Sequence, residues 1–246
     1  MVREKTLASF LSFSDLQSLT SNSLKVVMAT LLPPGLMFRW EFSVPELPQL
    51  PGAGKTLLNL PDQARLLIPS ALESRPPFEL RMGWNRRGLG ISVRTTGKST
   101  PLRCDPDRPL ESDGLLVWID TRNVQDVHRA TRFCHLFSLM PSGEGAKGTE
   151  PAVRQLPVPR ASADAPQIDT DDVLIGSKPG KAGYELSAWF PAEILNGFDP
   201  TSQPKLGFFC ELRDAELGRI PISLDAEFPY DGDPSLWCTL SLAGAE

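Results

Sequence analysis

Hydrophobic and polar residues alternate with a period of two along most of the chain, as strands buried on one face require. In "LMFRWEF" Leu36, Phe38, Trp40 and Phe42 share one side, while Met37, Arg39 and Glu41 share the other. "FELRMGW" groups Phe78, Leu80, Met82 and Trp84; "NRRG" turns the chain, and "LGISV" returns with Leu89, Ile91 and Val93. These two segments predict a hairpin. Further strands are expected at "GLLVWID", "RFCHLFSLM", "YELSAWF", "KLGFFCELRD" and "SLWCTLSL". One short helix is expected at "PAEIL", opened by Pro191 and ended by Asn196-Gly197. Between Pro141 and Pro179 the chain reads as a long surface excursion with one short strand at "DVLIG". The elements predict an all-β fold: a single antiparallel β-sandwich, immunoglobulin-like or jelly-roll-like, with one or two short helices. Its expected core holds Phe38, Trp40, Leu80, Leu89, Ile91, Val117, Ile119, Leu186, Phe208, Leu212 and Leu240.

Composition supports short strands joined by many turns, since 24 prolines and 19 glycines in 246 residues are too many for a helical protein. Residues 28–246 are read as the sandwich and residues 1–27 as a poorly ordered extension, with Met1 or Met28 as the start. "MVREKTLASFLSFSDLQSL" has a basic start, but Asp15 interrupts its apolar patch and no small-residue cleavage site follows, so a cytoplasmic location is expected. A net charge of −5 without a basic stripe argues against nucleic acid, and no run approaches a membrane span. The four cysteines lack paired spacing; three sit in strand patterns as small buried hydrophobes.

Parity sorts the tryptophans. Trp40 and Trp84 fall on apolar faces. Trp189 alternates away from Tyr184, Leu186, Ala188 and Phe190, Trp237 from Leu236, Cys238, Leu240 and Leu242, and Trp118 from Leu115, Val117 and Ile119. Outward tryptophans among polar neighbours suit stacking on sugar rings. The competing expectation is that loops cover them.

Three further stretches, "GWNRRGLGISV", "ESDGLLVWIDTRN" and "GYELSAWFPAEILNGFDPTSQPKLGFFCELRDAELG", resemble the family 9 carbohydrate-binding module and its DOMON-like relatives. The shared features are a W-[DN]-x-x-G-L hairpin, a strand ending in D-x-R, and a late G-Y segment followed by G-F-x-x-x-[LV]-x-D. They span about Leu36 to Leu242 in the family's order. The resemblance implies a β-sandwich that holds a terminal sugar between aromatic side chains, with carboxylates, amides and an arginine reading hydroxyls. Bound calcium is common in that family, so the resemblance makes calcium the candidate ion, although no cofactor is expected. On this basis a saccharide is expected to stack on Trp118, Trp189 or Trp237. Arg122, Asn123, Glu211, Arg213 or Asp214 are expected to bond its hydroxyls, provided that their strands are neighbours.

Other chemistry is weaker. "PGAGKTLL" lacks the first glycine of a phosphate-binding loop, where Gln49 stands, and Pro61 stops any helix after it. Cys134 and His135 are strand neighbours that point to opposite faces, so they cannot share a zinc ion. Aspartates 105, 107 and 113 with Glu111, aspartates 169, 171 and 172, and aspartates 231 and 233 are calcium candidates, but Asx turns explain most of them. Met82 or Met140 with His135 would be the haem pair of a DOMON-type domain. Neither histidine has a serine partner in view, and no enzyme is expected. The alternative to a sugar-binding module is a structural or protein-interaction sandwich, its partner unknown.

Overall fold

The computed structural model describes residues 40–52, 57–68, 77–224 and 227–244. Within them the chain forms β1 (Glu41–Pro45), β2 (Phe78–Asn85), β3 (Gly88–Thr95), β4 (Gly114–Asp120), β5 (Cys134–Glu144) and β6 (Glu150–Leu156). It continues through β7 (Leu174–Pro179), β8 (Tyr184–Pro191), β9 (Lys205–Asp214), β10 (Gly218–Pro221) and β11 (Cys238–Ala243). The larger sheet has the order β1-β11-β9-β4-β5-β6, with β10 also on β9, and the smaller has β2-β3-β8-β7. All pairs are antiparallel except β1, which runs parallel to β11. These two come from opposite ends of the chain, so no hairpin dictates their direction.

The β2–β3 hairpin forms as expected, with Asn85 opposite Gly88. The Asn85 side chain accepts from the Arg87 amide at 2.8 Å, which closes the turn. Gly88 has φ +151, and a Cβ there would lie 2.1 Å from the Phe190 carbonyl oxygen. Only glycine lets β8 approach so closely.

The inner faces meet in one core. Val117, Ile119, Phe208, Leu212 and Leu240 of the larger sheet are buried opposite Leu80, Leu89, Ile91 and Leu186 of the smaller. Phe137 on β5 packs against Phe190 on β8 with ring centroids 4.8 Å apart. Trp40 is only partly buried against this core. Phe38 and the 1–27 extension lie outside the described residues, as do positions 53–56 of "PGAGKTLL".

Two expectations need correction. "PAEIL" makes a single 3-10 turn at Ala192–Ile194, and the described residues contain no α-helix. The 141–179 region is not merely an excursion, because β5 runs on to Glu144 and returns as β6, with a register shift between Met140 and Glu144. β6 lies at the sheet's edge, and its neighbouring Ala152 and Val153 are both buried. Such a strand does not alternate, so period-two reading passes over it.

Candidate functional site

The outward residues of the larger sheet are Leu116, Trp118 and Asp120 on β4 beside Phe209 and Glu211 on β9. Trp118 is only 1% exposed. Its indole N–H donates to the Asp231 carbonyl at 3.2 Å, and Phe209 and Tyr230 meet it edge-on at 6.0 and 5.9 Å. Tyr230 in turn stacks on Phe209 at 4.3 Å. Trp237 is 4% exposed and donates to the Tyr230 carbonyl at 2.7 Å. The segment from Phe228 to Trp237 therefore roofs this face.

Glu211 fastens the roof. It accepts from Arg213 Nε at 2.5 Å, from Arg219 at 3.0 and 2.9 Å, and from the Tyr230 hydroxyl. Burial alone would raise its pKa, but the hydrogen bonds from Arg219 and Tyr230 and the Arg213 charge outweigh it and hold the carboxyl below its ordinary value. Both oxygens are thus committed internally.

The smaller sheet has a different cover. Its outward rows run Glu79–Arg94–Glu185–Lys178, then Arg81–Ser92–Ser187–Gly176, then Gly83–Gly90–Trp189–Leu174. Trp189 is 2% exposed, beneath Leu47, Leu50, Leu58, Leu60 and Ala64 of the chain between β1 and β2. The Asn85 amide holds that strap by donating to the Leu47 and Leu50 carbonyls at 2.9 and 3.0 Å. Leu58 N–H donates to Ser187 at 2.9 Å, and Arg81 donates to the Leu60 carbonyl at 2.8 Å.

None of the three tryptophans is therefore exposed, contrary to expectation. Parity tells which face of a sheet a side chain takes, not what chain lies over that face. The polar candidates also fail to gather in one patch. Asp214 and Asp113 are buried around Lys98 Nζ at 2.9 and 3.0 Å. Asn123 follows β4 at φ +49 and accepts from Thr239 Oγ1 at 3.1 Å. Arg122, beside it, is exposed, and Arg213 spends itself on Glu211 and the Leu110 carbonyl.

The carboxylate runs serve loops. Asp105 accepts from the Asp107 amide and pairs with Arg108, while Asp169 and Asp233 cap the short turns that follow them. Among the described residues no three His, Cys, Asp or Glu side chains converge on a cation-sized site. Cys134 and His135 do point to opposite faces: Cys134 pairs across from Asp120, and His135 stacks on Phe137 at 5.9 Å. Burial pushes the Cys134 thiol up to about 12 and His135 down to about 4. Met140 and His135 differ in parity on β5, so the sheet separates them.

His128 does have a serine neighbour, which sequence reading missed. Its Nδ1 lies 3.1 Å from both Asp233 Oδ2 and Ser235 Oγ. A relay needs the carboxylate and the nucleophile on opposite ring nitrogens. Here both share one.

One polar pocket remains beside the strap. It has a volume of about 200 Å³, and Glu79, Arg81, Ser92, Arg94 and Glu185 form its floor, with the chain at Leu57–Leu60 as its wall. Arg94 pairs with Glu185 at 2.8 Å, and the two side chains stay 59% and 33% exposed. Glu79 is tied to Arg81 at 2.7 Å and Arg65 at 3.3 Å, and Arg81 also reaches Asp62. Arginine, carboxylate and hydroxyl thus stand on three adjacent strands, while Leu57 and Leu58 offer apolar surface. The signal was readable: Glu79, Arg81, Ser92, Arg94 and Glu185 all take the outward parity. That parity alone does not mark a site, because charged residues on the solvent face of a strand are the ordinary case.

No family model matches the sequence, and no curated protein matches it. Solved structures do. A family 9 carbohydrate-binding module from Caldicellulosiruptor kristjanssonii in complex with cellotriose aligns at a TM-score of 0.52 and 13% identity, covering 83% of this chain and 94% of its own. The fold is of the family 9 carbohydrate-binding-module type. The same kind of module with glucose gives 0.54 at 12% identity over 83% and 96%. A candidate carbohydrate-binding protein from Bacteroides uniformis gives 0.52 at 11% identity over 82% and 99%. At such identities the likeness concerns backbone architecture and carries no residue's role across.

Proposed function

We propose that this chain is a non-catalytic saccharide-binding module whose sugar sits in the polar pocket of the smaller sheet. The observation that carries the reading is the set of Arg94, Glu185 and Ser92 on paired rigid strands, in a pocket of about 200 Å³. Planar, charged hydrogen-bonding groups suit vicinal hydroxyls, and groups on strands hold their geometry better than groups on loops. Leu57 and Leu58 take the part that aromatic platforms were expected to play. The similarity in fold to modules bound to cellotriose and glucose supports the ligand class. Stacking on Trp189 itself would require the strap to lift, and stacking on Trp118 or Trp237 would require the 228–237 roof to leave.

The test is calorimetry with glucose and cellotriose on the intact chain and on Arg94→Ala and Glu185→Gln. A hydrogen bond to a charged group contributes about 1.5–3 kcal/mol, so each substitution should weaken binding about tenfold or more. Affinity unchanged in both variants would sink the site.

A second reading, a protein-interaction sandwich, draws on the groove between the edge strands β6 and β7. Its volume is about 540 Å³, and it is lined by Glu150, Val153, Asp171, Leu174 and Ile175 among others. Unpaired edges are natural docking sites for an added strand. Binding of no saccharide, together with capture of one protein that Leu174→Asp abolishes, would favour it.

A further inference from the structure

Arg122, in the turn after β4, and Arg132, just before β5, lay their guanidinium groups over the same phenyl ring. Their Cζ atoms are 4.5 and 5.2 Å from the Phe133 centroid. The two charges are therefore closer than a Debye length, about 10 Å at 0.1 M salt, and each is felt by the other. Both arginines are exposed and Phe133 is half-buried. Among the described residues neither has a carboxylate at ion-pair distance, whereas Arg81, Arg94, Arg108, Arg154 and Arg219 all do.

The same loop adds more positive charge. Arg129 Nε donates to the Arg160 carbonyl at 3.1 Å, and both residues are exposed. Two acids lie close enough for Arg122 to favour their charged forms, Asp120 and Asp199, but neither makes an ion pair with it. Asp120 is buried and accepts from the Arg122 and Val124 amides, and Asp199 accepts from Ser202 Oγ at 2.7 Å and from the Thr201 amide at 3.1 Å. Arg122 and Arg132 thus share one ring without an ion pair, in a chain whose net charge is −5. Like charges held together oppose folding unless something offsets them. A guanidinium held over a ring and open to solvent still has N–H donors to offer, and a planar fork of such donors receives an oxyanion bidentately.

We propose that the Arg122–Phe133–Arg132 stack is an oxyanion-binding site, and that it takes the carboxylate or sulfate ester of an acidic saccharide. The saccharide half of this statement rests on the reading above; the oxyanion half does not. The site lies apart from the Arg94 pocket, so the two can be tested separately.

The experiment titrates the intact chain with oligogalacturonate, a sulfated dextran oligomer, inorganic sulfate and neutral cellotriose. The variants are Arg122→Gln/Arg132→Gln and, as a control, Arg103→Gln, an exposed arginine elsewhere. At least one acidic oligomer should bind more tightly than cellotriose. That binding should weaken with salt between about 50 and 500 mM. It should fall about tenfold or more in the double variant and hold in the control. Cellotriose binding should not change in the double variant. Acidic oligomers that bind no better than cellotriose, or that lose as much affinity in Arg103→Gln, would overturn the site. Sulfate bound through Arg122 and Arg132 with neither acidic oligomer bound would overturn the saccharide half. Failure of cellotriose alone would count against the Arg94 pocket, not against this site.

Discussion

The two outer faces of the sandwich each carry a tryptophan that alternation points away from the core, and each is roofed in a different way. Over Trp118 the roof is aromatic and ionic, with Tyr230 stacked on Phe209 and bonded to a Glu211 that two arginines also hold. Over Trp189 the roof is a strap of leucines pinned by the Asn85 side-chain amide, which donates to the Leu47 and Leu50 carbonyls. The first commits the Glu211 carboxylate beneath it to Arg213, Arg219 and Tyr230. The second covers only part of its sheet, and the uncovered rows form the Arg94 pocket. An outward tryptophan in a strand pattern is thus as good a sign of an overlying segment as of a ligand platform.

Removing the aromatic roof should have the largest effect. Tyr230→Ala takes a fully buried ring off Phe209 and Trp118, and large aromatic truncations of this kind cost about 3–5 kcal/mol. Chemical denaturation should show this loss, with tryptophan emission of the native state shifted to the red. An unshifted spectrum would mean that the 228–237 segment does not shield Trp118.

Acid tests the roofs against the core between them. His135 is held neutral, with its pKa lowered by burial to about 4 from 6.5. The unfolded chain binds the extra proton between those values, so this stability is complete above about pH 6.5 and is lost as pH falls towards 4, by about 3 kcal/mol in all. Glu211 has a lowered pKa, so its contribution is present above the unfolded carboxyl value and is lost only at lower pH. His135→Phe should flatten the first step and leave the second. Stability curves that coincide for the two proteins from pH 7 to 4 would refute the burial argument.

The leucine strap is the softer roof. A Cβ at Gly83 would lie 2.4 Å from Leu47 Cδ1, the far end of a flexible side chain. Gly83→Ala should therefore cost about 1–3 kcal/mol by displacing that leucine, and should raise acrylamide quenching of tryptophan emission. Smaller still, Arg94→Ala should change stability by no more than about 0.5 kcal/mol, since its ion pair is exposed. Under the proposed function its effect is expected on saccharide binding instead.

Much of this was legible from residues alone. The spans "GLLVWID" and "KLGFFCELRD" coincide with β4 and β9, because a strand with one apolar face declares its period and its turns. The architecture followed from that pattern and from the resemblance. The site did not. Which side chains end under a roof depends on where Leu47–Ala64 and Phe228–Trp237 lie, and these segments have no periodicity that ties them to a sheet. Glu211 and Asp214 looked like ligand groups because a charged residue in a strand suggests exposure; each proved to be a buried anchor for a cation, Arg219 or Lys98.

The most direct test is a heteronuclear NMR titration of the labelled chain with cellotriose. The account predicts shifts centred on the amides of residues 57–60, 79–81, 92–94 and 185. The indole N–H signals of Trp118 and Trp237 should stay still, since both are bonded beneath the Tyr230 roof. Saturable shifts of those two indoles, with the Arg94 and Glu185 amides unmoved, would contradict it and return the binding site to the tryptophans of the larger sheet.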